Sequence, residues 1–183
     1  MSFNFFSENS NQFRIFCDMD GVLTDFDYQF RSISGGIAFD EWAEKNGKNS
    51  AWEIIKSAAE EFWSEMPWTE DGKTLWIWLQ SHSPTILSAP SIELTSKTGK
   101  TKWVNTHLGI SQNPTTNSDG WDINTRLIFD KDKHLYVLPN TVSILIDDTP
   151  KKIDAWRAAG GIGLLHSNAT ETINTLTEIL NSL

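Results

Sequence analysis

Short apolar segments without alternating polar positions recur along the chain. This pattern is typical of parallel strands that are covered on both faces of a sheet. The predicted strands are Phe13–Cys17, Thr85–Ser88, Arg126–Phe129, Val142–Ile146 and Ile162–Leu165. We expect these five strands to form the buried centre of the fold.

Amphipathic segments lie between the strands and predict helices. In Ser50–Ser64 the apolar residues recur at helical spacing from Ala51 onwards, with Ser50 as the expected N-cap. Further helices are predicted over Lys100–Leu108, Pro150–Ala159 and Ala169–Leu183. The segment Ser111–Ile123 is rich in turn-forming residues and predicts a loop. Strands that alternate with helices predict an α/β fold with a mostly parallel sheet.

A long helical and tryptophan-rich interval between the first two strands breaks this alternation. We expect residues 28–70 to form a helical cap inserted after the first strand, and residues 1–27 and 71–183 to form the core domain. Most tryptophans of this interval are expected to pack in the core. Trp63 and Trp68 are the candidates for lining a substrate pocket.

Composition and charge narrow the class of protein. At 183 residues, the chain has the length of one domain with a modest insertion. A net charge of -9 and a pI near 4.8 predict a surface that repels phosphate backbones and anionic lipids. We therefore expect no stable nucleic-acid binding and no membrane association. The N-terminal sequence lacks the features of a signal peptide and Cys17 has no disulfide partner, so we expect a cytoplasmic protein.

The sharpest chemical feature is the sequence DMDGVLTD, which begins at Asp18 directly after the first predicted strand. Side chains two positions apart in extended chain share a face, so Asp18 and Asp20 can point at one spot. Gly21 allows the chain to turn sharply away after them. Such a pair suits a nucleophilic carboxylate beside a second carboxyl group that protonates the leaving group.

Further polar residues follow two other predicted strands. Ser88 ends the strand TILS, and Asp147 and Asp148 follow VSILI. Ligands of open α/β sheets bind outside the carboxyl ends of the strands, where these residues are expected to meet. Four carboxylates at one place require a cation, and Mg²⁺ prefers oxygen ligands. The sequence therefore predicts a magnesium site.

The motifs DMDGVLTD, ILS and LIDD, each at the end of a strand, resemble motifs one, two and four of the haloacid dehalogenase-like (HAD) phosphohydrolases. The resemblance implies a HAD-like Rossmannoid three-layer sandwich with a parallel sheet and a small helical cap. DMDGVLTDF, ILSAPS, GKTKWVNTHLG and ILIDD are similar, more narrowly, to sequences of the 5′(3′)-deoxyribonucleotidase branch and its phage and bacterial relatives.

The HAD resemblance also implies roles for individual residues. Asp18 would be the nucleophile that forms an aspartyl-phosphate, and Asp20 the general acid and then the general base. Mg²⁺ would be held by Asp18, the backbone carbonyl of Asp20, and Asp148, with Asp147 as a further ligand or beside the site. The hydroxyl of Ser88 would bind a phosphate oxygen. Phe26 lies where the nucleotidases place an aromatic ring against the base, and packing in the core is an equal alternative for it.

The lysine that balances the charge of nucleophile and phosphate has three candidates. Lys133 and Lys131 both precede the LIDD motif, and Lys133 is favoured because KHLY then begins the segment before the strand. Lys100 is the fallback. Ile92 occupies the place where the nucleotidases carry a second lysine, which bears on substrate identity.

Together these features predict a Mg²⁺-dependent phosphomonoesterase that acts on a small phosphorylated substrate, and the nucleotidase resemblance makes a nucleoside monophosphate the expected one. Two alternatives stay open: a HAD phosphatase for a sugar phosphate or a nucleic-acid 3′-end, and a catalytically silent HAD fold used as a binding module. The sequence does not decide between a monomer and a homodimer.

Overall fold

The computed structural model of the protein describes residues 13–111 and 125–183, and its centre is a five-stranded sheet. The strands are β1 (Phe13–Cys17), β2 (Thr85–Ser88), β3 (Leu127–Phe129), β4 (Val142–Asp147) and β5 (Ile162–Leu165). They lie in the order β3-β2-β1-β4-β5, and every neighbouring pair is parallel. The predicted α/β fold with a parallel sheet is confirmed, and the strand that precedes Asp18 is its central strand.

Seven α-helices are present in the described residues. They are α1 (Phe26–Ile33), α2 (Phe39–Asn46), α3 (Lys48–Ser64), α4 (Gly72–Leu79), α5 (Leu94–Leu108), α6 (Pro150–Ala158) and α7 (Ala169–Ser182). Short 3₁₀ helices lie at Gln80–His82 and Lys133–Tyr136. Across the described ranges, no helix combines the length and apolarity that a bilayer span requires. Residues 112–123 of the predicted loop lie outside the described residues.

Two of the predicted helices start at other residues than expected. The N-cap of α3 is Gly47, so Ser50 lies inside the helix and its hydroxyl instead accepts a hydrogen bond from the indole N–H of Trp42 at 3.2 Å. Helix α5 begins at Leu94, six residues before the predicted Lys100. The buried residues of its first turns, Ser96, Gly99 and Lys100, are small or polar, so the sequence there lacks the apolar periodicity that predicts a helix.

Alternate residues of the strands pack on opposite faces of the sheet. Ile15 and Cys17 of β1 belong to the larger core, together with residues of α3, α4 and α5. Phe16 lies on the other face, where its ring meets Trp156 of α6 edge-on at a centroid distance of 5.2 Å. Helices cover both faces, which explains why consecutive strand positions are apolar.

Helices α1, α2 and α3 are inserted between β1 and α4, and aromatic rings hold them together. Phe26 of α1 packs edge-on against Phe39 of α2 and Phe62 of α3, with both centroid distances at 5.4 Å. Helix α3 bends at Ala59, whose φ of 52° and ψ of -133° are not helical. The part of α3 beyond the bend lies directly against Gly99 of α5.

Replacing Gly99 with alanine is expected to destabilise the protein. A Cβ at this position would lie 2.6 Å from the carbonyl oxygen of Glu60 and 2.6 Å from Cβ of Trp63, so α3 and α5 must separate. In a helix with free space the same change stabilises by about 1 kcal/mol. Here we expect a loss of about 1–3 kcal/mol in the free energy of unfolding, measured with urea.

The matched control for this change is Thr98→Ala, because Thr98 is the preceding residue of the same helix and is exposed. Its free energy of unfolding is expected to stay within about 0.5 kcal/mol of the wild-type value. A Gly99→Ala protein as stable as the wild type would contradict the close packing of α3 on α5.

Candidate active site

The carboxyl ends of three adjacent strands bring the motif residues together. Asp18 directly follows β1, and its N–H donates to the carbonyl of Ile146 in β4 at 2.9 Å. Ser88 is the last residue of β2, and Asp147 is the last residue of β4, with Asp148 next to it. Because β2, β1 and β4 are neighbours and parallel, all these side chains lie at one edge of the sheet.

A tight turn after Asp18 brings the backbone close to the second acidic pair. The carbonyl of Met19 accepts hydrogen bonds from the N–H groups of Val22, Leu23 and Thr24, at 3.1, 2.8 and 2.9 Å. Gly21 has a φ of 78°, and a Cβ there would overlap the carboxylate of Asp148. Glycine therefore permits both the turn and the close approach.

Asp18 is a buried carboxylate between two ammonium groups. Its Oδ2 lies 2.8 Å from Nζ of Lys133 and 3.4 Å from Nζ of Lys152, while its Oδ1 accepts the N–H of Met19 at 2.8 Å. Burial by itself would raise the pKa of Asp18, but the two lysines together hold that pKa well below its usual range. Asp18 is therefore ionised at neutral pH, as a nucleophilic carboxylate must be.

Asp147 and Asp148 complete a cluster of carboxylates with Asp18. One oxygen of each lies within 4.8 Å of the others. Burial and the charges of Asp18 and Asp147 raise the pKa of Asp148. A bound cation would offset the repulsion among these carboxylates. These hard oxygen donors fit the ligand preference of Mg²⁺.

Asp20 points away from this carboxylate cluster, towards another lysine. Its Oδ2 lies 2.6 Å from Nζ of Lys100, and its Oδ1 accepts the hydroxyl of Thr24 at 3.1 Å. Lys100 is fully buried and also donates to Oγ of Ser88 at 2.9 Å. Asp20, which follows β1, and Ser88, which ends β2, are thus connected through one ammonium group.

A cleft of about 740 Å³ opens above these groups. Carboxylates and Lys152 line its floor, and Phe26, Phe39 and Trp52 of the inserted helices line another part of its wall. Phe26 both lines the cleft and packs against its aromatic neighbours, so the two interpretations of this residue are compatible. Trp52 is the tryptophan among the lining residues, in place of the expected Trp63 or Trp68.

The three candidate lysines occupy different environments. Lys133 is buried between Asp18 and Asp147, at 2.8 and 2.6 Å, whereas Lys131 is exposed. Lys100 is buried as well, on the Asp20 side of the site.

Sequence reasoning missed Lys152, which lines the cleft and reaches Asp18. The available signal was its position in the first turn of α6, directly after the LIDD motif. The first turn of a helix that follows a strand lies at the carboxyl edge of the sheet, beside the bound ligand.

Comparisons with known proteins concern the fold. No protein-family model and no curated protein matches the chain. A solved hydrolase from Streptococcus pneumoniae TIGR4 is 14% identical, with a TM-score of 0.50 over 91% of this chain and 99% of that chain. A HAD-superfamily hydrolase of subfamily IA from Geobacter sulfurreducens PCA is also 14% identical, with a TM-score of 0.50 over 93% and 100%. A hydrolase from Pseudomonas syringae is 16% identical, with a TM-score of 0.50 over 92% and 99%.

At these identities the likeness establishes the fold alone. The chain has the Rossmannoid α/β architecture of the HAD-superfamily hydrolases, as the DMDGVLTD and LIDD motifs predicted.

Replacing Gly21 with alanine is expected to weaken Mg²⁺ binding. The added Cβ would displace the carboxylate of Asp148 and with it one of the clustered oxygens. We expect the affinity for Mg²⁺, measured by isothermal titration calorimetry, to fall about 10-fold or more. Gly36→Ala is the control, because Gly36 has a comparable φ of 92° but no atom within 4 Å of the added Cβ. Equal affinities in the two variants would contradict a magnesium site at Asp148.

Proposed function

We propose that the protein is a Mg²⁺-dependent phosphomonoesterase. The observation that carries the proposal is the state of Asp18: a buried and ionised carboxylate, held between Lys133 and Lys152 at the floor of an open cleft. Asp20 follows two positions later, within the same turn. Both residues line the cleft, and an ionised carboxylate with a second carboxyl group in the same cleft suits nucleophilic phosphoryl transfer.

In the proposed reaction Asp18 attacks the phosphorus atom of the substrate. A bond forms between Oδ of Asp18 and phosphorus, the bond from phosphorus to the leaving oxygen breaks, and Asp20 donates a proton to that oxygen. In the second half Asp20 takes a proton from water as the water oxygen attacks phosphorus. The phosphorus–Asp18 bond then breaks, which releases inorganic phosphate and restores both carboxyl groups.

Charge neutralisation is the main task of the remaining groups, because phosphoryl transfer depends chiefly on positioning and electrostatics. Lys152 faces the cleft and would bind a phosphate oxygen. The hydroxyl of Ser88, a buried residue, would be a second donor. A divalent cation held by Asp18, Asp148 and the backbone carbonyl of Asp20 would neutralise further phosphate charge. Asp147 already accepts from Lys133 at 2.6 Å and from the N–H of Thr149 at 2.9 Å, which favours an orienting role for it.

The proposed substrate is a nucleoside monophosphate, and residues 28–70 are proposed to act as the cap over it. Support comes from the wall of the cleft, where Phe26, Phe39 and Trp52 offer aromatic surface at a distance from the phosphate chemistry. Nucleobases stack on such rings, whereas a sugar alone gains less from them. The solved structures that share this fold include hydrolases, which agrees with a hydrolytic reaction and does not bear on the choice of substrate.

The proposed activity predicts phosphate release that depends on a divalent cation and on Asp18. We expect Asp18→Asn to lower turnover of nucleoside monophosphates at least about 1,000-fold, because an amide is not a nucleophile at phosphorus. The measurement is phosphate release from ribo- and deoxyribonucleotides and sugar phosphates, with Mg²⁺ and with EDTA. Turnover unaffected by Asp18→Asn would exclude this mechanism. A folded, Mg²⁺-binding protein that hydrolyses none of these substrates would favour the silent binding module.

The proposed base contact predicts a substrate-dependent effect of Trp52→Ala. Loss of one stacking ring should raise KM for deoxynucleoside monophosphates about 5-fold or more, because each stacked base gains roughly 1–3 kcal/mol. KM for deoxyribose 5-phosphate, which has no base, should change little. Trp78→Ala is the matched control, since Trp78 is also half-buried but does not line the cleft. An equal change for both substrates would argue against a base subsite at Trp52.

A further inference from the structure

Lys100 is a buried lysine that the proposed chemistry does not use directly. It lies in α5, its side chain is fully inaccessible, and burying an ammonium group is costly unless its hydrogens are satisfied. Nζ donates to Oδ2 of Asp20 at 2.6 Å, to Oγ of Ser88 at 2.9 Å and to the carbonyl of Ala89 at 3.0 Å. An ammonium group has three N–H donors, so all three are engaged by the protein. Lys100 has no donor left for a substrate.

The direction of these hydrogen bonds fixes what its partners can do. Lysine only donates, so Oγ of Ser88 must be the acceptor in its contact with Lys100. The hydroxyl hydrogen of Ser88 is then directed to another acceptor, as the proposed phosphate contact requires. At Asp20 the ammonium group occupies Oδ2, while Oδ1 contacts the hydroxyl of Thr24. A hydroxyl can accept as well as donate, whereas an ammonium group only donates, so Oδ1 is the oxygen of Asp20 that can carry a proton while Lys100 holds Oδ2.

The packing of α3 on α5 holds Lys100 in this position. The indole ring of Trp63 lies over the ammonium group, with its centroid 5.1 Å from Nζ. The neighbouring Gly99 has no side chain, so the backbone of α3 at Glu60 can lie directly against α5. A cation between an aromatic face and a carboxylate is favoured electrostatically from both sides.

We propose that Lys100 is a positioning residue that sets the orientation of Asp20 for proton transfer to the leaving oxygen. The inference rests on the proposed phosphomonoesterase activity. Lys133 and Lys152 balance the charge at Asp18, and Lys100 serves the separate group that handles the proton. Loss of Lys100 should therefore lower the rate most for substrates whose leaving oxygen must be protonated.

The test compares two leaving groups in the variant Lys100→Met. The first substrate is the alkyl phosphate that the wild type hydrolyses fastest, and its leaving oxygen must be protonated. The second is p-nitrophenyl phosphate, which releases a stable anion. We expect kcat/KM for the alkyl phosphate to fall about 100-fold or more, the usual scale of general acid catalysis. The value for p-nitrophenyl phosphate should fall less than about 10-fold, through the altered Ser88 contact.

Two further variants separate positioning from a structural role. In an Asp20→Asn background, Lys100→Met should lower the alkyl phosphate rate by less than about 3-fold, because the two residues act as one unit. Lys102→Met is the matched control, since Lys102 lies on the same helix and is exposed, and it should leave both rates unchanged. If Lys100→Met does not fold, Lys100→Gln, which keeps neutral N–H donors, is used for the same comparison.

The outcomes distinguish this inference from the proposed function. A wild-type protein that hydrolyses neither substrate overturns the proposed function, and this inference with it. An active wild type whose Lys100 variants lose equal activity on both substrates overturns the inference alone. A further large loss in the Asp20→Asn background would likewise contradict an action through Asp20.

Discussion

The ammonium group of Lys133 allows two buried carboxylates to end neighbouring strands. It lies 2.8 Å from Asp18 and 2.6 Å from Asp147, and all three side chains are almost inaccessible to solvent. Like charges within 4.8 Å repel by about 3–4 kcal/mol at the effective dielectric of a protein. Removal of Lys133 would leave both buried charges with only the more distant ammonium group of Lys152, at 3.4 Å from Asp18 and 3.9 Å from Asp147, which costs more than the close pairs themselves stabilise. The cation of Lys133, with Lys152, is what allows a buried and ionised Asp18 at the edge of the sheet.

The packing of the inserted helices shapes the cleft above Asp18. Phe26 joins α1 to the rings of α2 and α3, so the wall of the cleft is part of one aromatic cluster. The bend of α3 at Ala59 turns its last residues onto α5, where Gly99 permits the contact. The same contact buries Lys100 beside Asp20. The wall of the cleft and the surroundings of Asp20 therefore depend on one helix pair.

The sequence was sufficient to predict the sheet and most of the acidic residues at its edge. Apolar segments covered on both faces identify strands by composition alone, and the rule that ligands bind beyond strand ends places Asp18, Ser88 and Asp147 together. Lys152 was missed although its place in the first turn of α6, directly after LIDD, was a usable signal. The nearness of Trp52 to the cleft was not predicted, because it depends on how helices pack and not on local pattern. The start of α5 was missed for a related reason: Gly99 is buried by a close helix contact, which leaves no apolar period to recognise. The roles of the site residues remain predictions.

The central claim is that Asp18 forms a covalent bond to phosphorus, and covalent capture tests it most directly. The protein is mixed with Mg²⁺ and a rapidly hydrolysed phosphomonoester, quenched in acid during turnover, digested and analysed by mass spectrometry. We predict that the peptide containing Asp18 carries one added phosphoryl group, which disappears when substrate is exhausted and is absent in Asp18→Asn. Steady phosphate release with no phosphoryl group on Asp18 at any quench time, together with inverted configuration at phosphorus, would contradict the account.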